Sequence, residues 1–244
     1  MNNSILDSLD PEIYVYRIFG IERLFQLFET KKNVLVHPSK WDDPFENFIL
    51  SGLIEIASGE KGQFGFKDHV FGQCWTMKRE SDAMWRIYSP EKNGVRVRAR
   101  VKNLIQGLRA AESFSFVADI SCFVGKVSYL PQNKLKDLNI NVLDSSGKGI
   151  AQSLLYKRTE FSHEKEVRLI YSMHNPPANI PKVFSYGFDP GTVLDEITFD
   201  PRIDKRMSDV YTHSLVDVYG FPKKSINTSK LYSPPQEFIT QLKA

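Results

Sequence analysis

The 244-residue chain has two cysteines, Cys74 and Cys122, far apart and without metal-ligand spacing. A disulfide scaffold and a zinc cluster are thereby excluded, and the two thiols read as small buried side chains of a reducing cytoplasm. No stretch of about 18 apolar residues occurs, and the opening Met1-Asn2-Asn3-Ser4 lacks a basic region followed by an apolar one. The expectation is a cytoplasmic protein with no membrane span, no signal peptide and no membrane partner. Charge of one sign is also lacking: 32 basic against 29 acidic residues leave +3, too little for a chain that coats nucleic acid along its whole surface. Any polyanion site must be local. Neither Gly-x-Gly-x-x-Gly nor Gly-x4-Gly-Lys-Ser/Thr is present, which argues against the usual dinucleotide and P-loop folds. His37, His69, His163, His174 and His213 form no pair at ligand spacing, so no metal is expected, and no serine or cysteine stands in a triad setting. Repeats and low-complexity tracts are absent, and proline and glycine are spread rather than pooled, so residues 1–244 read as one domain.

What is present is a mixture of two periodicities. Period-2 alternation predicts strands at Glu12 to Phe19, Val34 to His37, Val70 to Thr76 and Val95 to Val101, and near 122–130, 165–173, 193–199 and 225–231. Helical spacing predicts a helix over Ile21 to Thr30, with Ile21, Leu24, Phe25 and Phe28 inward, and a short one from Ser81 or Asp82 through Tyr88. Another should start at Asp42 or Asp43 with Pro44 in its first turn, turning Phe45, Phe48, Ile49 and Leu53 inward. Further helices are expected near 102–111, 149–160 and 203–219. Strands and helices do not alternate as βαβ units, so the expected fold is α+β, a mixed or antiparallel central sheet flanked by helices.

Four segments carry candidate chemistry. Glu164-Lys165-Glu166-Val167-Arg168-Leu169-Ile170-Tyr171 reads as a half-buried strand that puts Glu164, Glu166 and Arg168 on one face and Val167, Leu169 and Tyr171 on the other. On a strand flooring a cleft such a row suits general-base or cation-stabilising chemistry; on an outer strand it is merely solvated. In Trp41-Asp42-Asp43-Pro44-Phe45-Glu46, a helix cap explains most of the pattern, while Asp43 or Glu46 is also placed to orient Arg17 or a substrate. In Met84-Trp85-Arg86-Ile87-Tyr88, Trp85 and Tyr88 lie one helical turn apart, as a core wedge or as a platform for a base or nicotinamide ring. A fourth segment, Val95 to Lys102, places Arg96, Arg98, Arg100 and Lys102 on one strand face. This is either a polyanion track for RNA or DNA or a ladder of ion pairs to an acidic neighbour, Glu164 and Glu166 included. A metal-dependent nuclease is the weaker alternative, because His163 stands where an Asp/Glu-x-Lys strand needs an acid.

The Trp41-Asp42-Asp43-Pro44-Phe45-Glu46 block, Met84-Trp85-x-x-Tyr88 and Glu164-x-Glu166-x-Arg168 resemble, in order and spacing over about residues 12–232, the bacterial family known as domain of unknown function 2971. The middle motif is the most specific. Asp42 stands where that family usually has asparagine and Phe161 where a tryptophan commonly precedes the acidic pair, and the basic strand is no part of its pattern. The family name implies no activity.

A looser similarity is to ADP-ribosyltransferases, with Tyr14-Val15-Tyr16-Arg17 on the first strand, Ser39 or Thr76 at the end of a following one and Glu164-x-Glu166 late. This resemblance implies NAD as substrate. Glu166 would stabilise an oxocarbenium-like cation, Glu164 would activate the acceptor, Arg17 would hold the pyrophosphate, and Tyr16, Thr76, Trp85 and Tyr88 would complete the cofactor site, with Asp43, Glu46 and Arg168 in support. The resulting expectation is a transferase acting on nucleic acid or protein, of the kind found in toxins and phage-defence effectors with an antitoxin or chaperone partner. A non-catalytic binding module is the alternative.

Overall fold

The computed structural model describes residues 3–55, 59–135 and 137–234. Nine strands form one sheet: β1 (Tyr14–Gly20), β2 (Lys32–Val36), β3 (Val70–Thr76), β4 (Gly94–Arg100), β5 (Cys122–Lys126), β6 (Glu166–Ser172), β7 (Val183–Gly187), β8 (Leu194–Phe199) and β9 (Ile226–Thr228). Their order along the main path is β7-β2-β3-β1-β4-β8-β9, and a second path leaves β3 through β6 to β5. All pairs are antiparallel except β8 with β9. The expected α+β fold with a mixed central sheet is therefore what the chain forms. Among the described residues no helix is long and apolar enough to cross a membrane.

β3 is where the sheet forks. Along one edge it pairs with β6 over all seven residues, from Glu166↔Thr76 to Ser172↔Val70. Along the other it meets β1 only at Tyr16↔Thr76 and β2 only at Val36↔Gly72. Gln73 lies in the gap, and its side chain replaces part of the missing ladder: Nε2 donates to Asn33 Oδ1 and to the Val34 carbonyl, both at 2.8 Å. Its Oε1 accepts from Trp75 Nε1 at 2.8 Å, so the buried amide is satisfied. The fork opens a cleft through the sheet at Arg17 and Cys74.

The helices close the faces by the expected periodicity. α1 (Ile21–Thr30) buries Ile21, Leu24 and Phe28 and stops at Lys31, whose left-handed backbone (φ +49°) lets its N–H reach the Leu27 carbonyl. α2 (Asp82–Tyr88) is capped by Ser81, which accepts from the Met84 N–H, and buries Met84 and Trp85 against Ile18. α3 (Val101–Arg109) buries Val101, Leu104, Ile105 and Leu108.

Four local expectations are corrected. After Pro44 the chain makes a 3-10 turn, Pro44–Asn47, then one turn of α-helix, Phe48–Ser51, which buries Leu50 and leaves Leu53 70% exposed. The helix predicted over 149–160 is Lys148–Ser153, and residues Tyr156–Arg158 are a short strand parallel to Ser128–Leu130. Lys102 belongs to the first turn of α3 rather than to the basic strand. The acidic strand is buried on both faces along its whole length, and Glu164 precedes it in a 3-10 segment, Thr159–Glu164. Lys165, with φ +47°, turns the chain between the two glutamates, so strand alternation does not relate them.

Candidate active site

Strand register brings three of the anticipated segments into one row. Tyr16 on β1 and Glu166 on β6 both pair with Thr76 on β3, so the three residues stand side by side across adjacent strands, about 5 Å apart at the backbone. Thr76 fixes the turn beside them: its hydroxyl donates to the Glu164 carbonyl and accepts from the Lys78 N–H at 2.9 Å.

Behind this row lies a buried cluster of three carboxylates and two cations. Lys157 Nζ is 2.6 Å from Glu164 Oε2, 3.2 Å from Glu166 Oε1 and 3.2 Å from Glu46 Oε1. Arg168 is fully buried. It donates to Glu166 Oε2 from Nε at 2.8 Å and from Nη2 at 2.6 Å, to Glu46 Oε2, and to the Leu154 carbonyl at 2.7 Å. Its guanidinium lies 4.4 Å from the Trp41 ring, and Gly72 leaves room for that indole. Tyr129 Oη accepts the Glu166 N–H at 2.8 Å.

Formal charges of −3 and +2 leave one negative charge unmatched, and the environment decides where it falls. Burial pushes Glu166 up, but Arg168 and Lys157 outweigh it and hold its carboxyl below the usual glutamate range. Burial, together with the hydrogen bond that the protonated Glu164 donates to the Glu166 carboxylate, pushes Glu164 up to about 7 against the pull of Lys157. Glu46 is also raised, by burial. Lys157 stays firmly charged, since burial is overcome by Glu166, Glu164 and Glu46. Near neutral pH the site thus holds one fixed carboxylate and one carboxyl able to exchange a proton.

Three cavities meet at the fork. A slot of about 150 Å³ is lined by Tyr16, Ile18, Cys74, Met84, Tyr88, Glu164 and Glu166, among others. A cavity of about 510 Å³ adds Trp41, Asp43, Glu46, Lys157, Arg158 and Phe161. A third, about 390 Å³, runs between β1, α1 and β2 and carries Arg17, Arg23 and Lys32 with no carboxylate. Arg17 borders all three. Burial pulls its guanidinium below the usual arginine range. The pairing with Glu46 or Glu166 that its position suggested does not form, because Arg168 and Lys157 occupy both acids. Asp43 likewise turns away from Arg17: it pairs with Arg158 at 3.1 Å and caps the turn by accepting the Phe45 N–H at 3.0 Å.

Other anticipated site residues are placed elsewhere. Trp85 is fully buried beside Met84 and Ile18, and its Nε1 donates to Glu80 Oε2 at 3.1 Å; it is the core wedge and lines none of these cavities. Tyr88, one turn on, is 41% exposed and borders the slot and the large cavity, and burial beside Glu164 and Glu166 keeps its phenol neutral. Ser39 sits in a 3-10 turn against His37 Nδ1 at 2.7 Å. The basic strand is an ion-pair ladder: Arg96, 1% exposed, meets Glu196 at 2.7 Å and Glu80 at 3.2 Å, and Arg98 meets Glu196 at 3.2 Å. Arg100 and Lys102 both meet Glu12, at 2.9 and 2.8 Å. Its acids are Glu12, Glu80 and Glu196, not Glu164 and Glu166, and the buried Arg96 has no surface to offer a polyanion. Cys74 borders the cavities as a neutral thiol, pushed up by burial to about 12.

Lys157, Arg158 and Tyr129 were not anticipated, and Trp41 was singled out only within its motif, without a role of its own. Lys157 and Arg158 fall where helical spacing was read, and no period links Lys157 to the glutamates it holds. Trp41 and Phe161 do carry a signal in hindsight, an aromatic beside each acidic motif; their rings cover Arg168 and Lys157 at 4.4 and 4.5 Å.

The family model for proteins of unknown function DUF2971 matches residues 84–169, the stretch from Met84 through the two glutamates to Leu169. No curated protein matches the chain. Among solved structures the chain is similar to Thermus sp. 2.9 DarT in complex with NAD+, at 12% identity and a TM-score of 0.42 over 92% of this chain and 98% of that one. DarT in complex with ADP-ribosylated ssDNA matches with the same identity and TM-score over 92% and 97%, and the carba-NAD+ complex at 11% and 0.40 over 91% and 98%.

Proposed function

We propose that the protein is an NAD-consuming, ADP-ribosyltransferase-like enzyme. The observation that carries this reading is the separation of charge along the joined cavities. One end is an aromatic-sided slot closed by Glu164 and Glu166, the other an acid-free groove with Arg23 and Lys32, and the unpaired Arg17 stands between them. A matching ligand has a flat cationic head and an anionic middle. NAD+ has that polarity: a nicotinamide ring bearing positive charge, joined through ribose to a diphosphate. A void of about 150 Å³ is also the size that takes a single six-membered ring.

The chemistry follows from the two glutamates. As the C1′–N bond breaks, nicotinamide leaves with the bonding pair and the ribose becomes oxocarbenium-like. Glu166, the fixed anion, stabilises that cation. The acceptor nucleophile then bonds to C1′ and gives its proton to Glu164. Arg17 holds the diphosphate, Tyr16, Thr76 and Tyr88 frame the ring, and Asp43, Glu46 and Arg168 brace the walls. The acceptor in this proposal is a nucleic acid or a protein. Its setting is that of a toxin or phage-defence effector restrained by an antitoxin or chaperone.

Nicotinamide release by the wild type and Glu166→Gln, each checked for folding by circular dichroism, tests the reading. Loss of release and of toxicity to an expressing host is expected from Glu166→Gln. Equal turnover in the two proteins, or no heat on titrating NAD into the wild type, would favour the binding-module alternative instead.

A further inference from the structure

A lysine buried among three carboxylates needs an explanation that simple neutralisation does not give. An ammonium presents three N–H donors from one atom, and Lys157 spends them on Glu164, Glu166 and Glu46 at 2.6, 3.2 and 3.2 Å. The Phe161 ring lies 4.5 Å from the same nitrogen and shields it from solvent. With every donor taken, Lys157 has none left for a ligand. Arg168 reaches the second oxygens of Glu166 and Glu46 but makes no contact with Glu164. Glu166 and Glu46 therefore each touch two cations, and Glu164 touches one.

The geometry assigns Lys157 a positioning role: it gathers three carboxylates at one nitrogen, and because Arg168 serves only Glu166 and Glu46, Glu164 becomes the member that exchanges a proton and Glu166 the member that keeps its charge. The catalytic consequence rests on the transfer reaction proposed above; the division of protons between the two acids does not. The ionisable groups acting on Glu164 are Lys157 and Glu166, with the neutral phenols Tyr88 and Tyr129 alongside, while Glu46 and Arg168 act through them. Two substitutions then have opposite signs. Lys157→Met removes the one cation that contacts Glu164 among the described residues and should raise its titration midpoint by about one pH unit or more. Glu46→Gln removes one competitor for the ammonium and should lower it.

The test is carbonyl-¹³C NMR titration of the full chain labelled in glutamate, with the Glu164 signal identified by its loss in Glu164→Gln. Shifts of opposite sign in the two variants support the assignment. Unmoved midpoints, or shifts of the same sign, overturn it. Should Lys157→Met fail to fold, Glu46→Gln decides alone: a downward shift supports and any other result overturns. Nicotinamide release supplies the second readout. Lys157→Met should lower kcat tenfold or more, leave KM for NAD within about threefold, and displace the pH profile upward with the Glu164 midpoint; an unchanged kcat and profile overturn the positioning role. A wild type that never turns NAD over refutes the transferase reading, and the titration still decides the place of Lys157.

Discussion

Arg17 borders the cleft and Arg168 lies buried behind it, and replacing each by glutamine should have opposite consequences. Arg168 is fully buried and holds Glu166, Glu46 and the Leu154 carbonyl. Removing its charge strands two buried carboxylates with Lys157 alone, and breaking such a pair costs about 3–5 kcal/mol. Among the described residues Arg17 has no carboxylate partner, and its burial is already unfavourable to its charge. Arg17→Gln should therefore leave stability within about 1 kcal/mol of the wild type, on the favourable side if anywhere. Its cost should appear in binding. Two charge-assisted hydrogen bonds to a diphosphate, at about 1.5–3 kcal/mol each, set a range of roughly 10²–10⁴ in affinity, and with solvent screening the low end, a loss of roughly a hundredfold, is expected. Urea unfolding gives the first quantity and calorimetric titration with NAD the second. Were Arg17→Gln to lose several kcal/mol of stability, or to bind NAD as tightly as the wild type, the claim that this guanidinium is held in reserve for a ligand would be wrong.

Other perturbations test other parts of the site. Glu164 carries a folded-state value of about 7 against an ordinary one near 4.5, so between those pH values the native state holds more protons than the unfolded chain, and its contribution to stability falls as pH rises through that window. Glu164→Gln should flatten that slope, by an amount of order 1–2 kcal/mol once screening is allowed for; denaturant midpoints measured from pH 4.5 to 7.5 would show it, and parallel curves would contradict it. Gly72→Ala would set a methyl carbon 2.6 Å from the Trp41 ring, displacing the indole that covers Arg168. A loss of about 1–3 kcal/mol together with reduced nicotinamide release is expected, and unchanged thermal unfolding would count against the packing argument. Arg100→Gln with Lys102→Gln should leave the salt dependence of any binding to single-stranded RNA or DNA unaltered, because both charges are engaged by Glu12; a slope flatter by about 1.4 would restore the polyanion track.

The parts of the molecule that were legible in its sequence are those governed by local periodicity. The strands at Tyr14–Gly20, Val70–Thr76 and Gly94–Arg100 and the helix at Ile21–Thr30 follow from apolar spacing alone. The strand Val183–Gly187 was missed, for its stretch is short and half exposed. Residues 156–158 were read as part of a helix near 149–160. There tertiary pairing with Ser128–Leu130 overrides the pattern, and the two cations of the site, Lys157 and Arg158, ride on that override. The charged motifs were visible, but their partners were not. Whether Arg96 faces an acid or a solvent depends on β8 lying beside β4, a pairing across about a hundred residues that no spacing within a segment encodes.

The fork explains why the candidate site draws on so many distant segments. An unbroken sheet satisfies each strand along both edges, and its charged residues either pair across strands, as Arg98 does with Glu196, or face water. At β3 the ladder opposite β6 is interrupted between Thr76 and Gly72, and the two limbs that diverge there bring unlike environments face to face. The β6 limb has its charges locked by Lys157 and Arg168 into a rigid floor, whereas the limb of β1 and β2 contributes Arg17 and Lys32, without carboxylate partners among the described residues, to the acid-free groove. Rigid paired charges suit a transition state, whose geometry is fixed, and unpaired ones suit a ligand that must arrive and leave. On the proposed reading the chain stabilises its fold with one set of ionic residues and offers a second set to the ligand, and the gap in the ladder of β3 is what separates them.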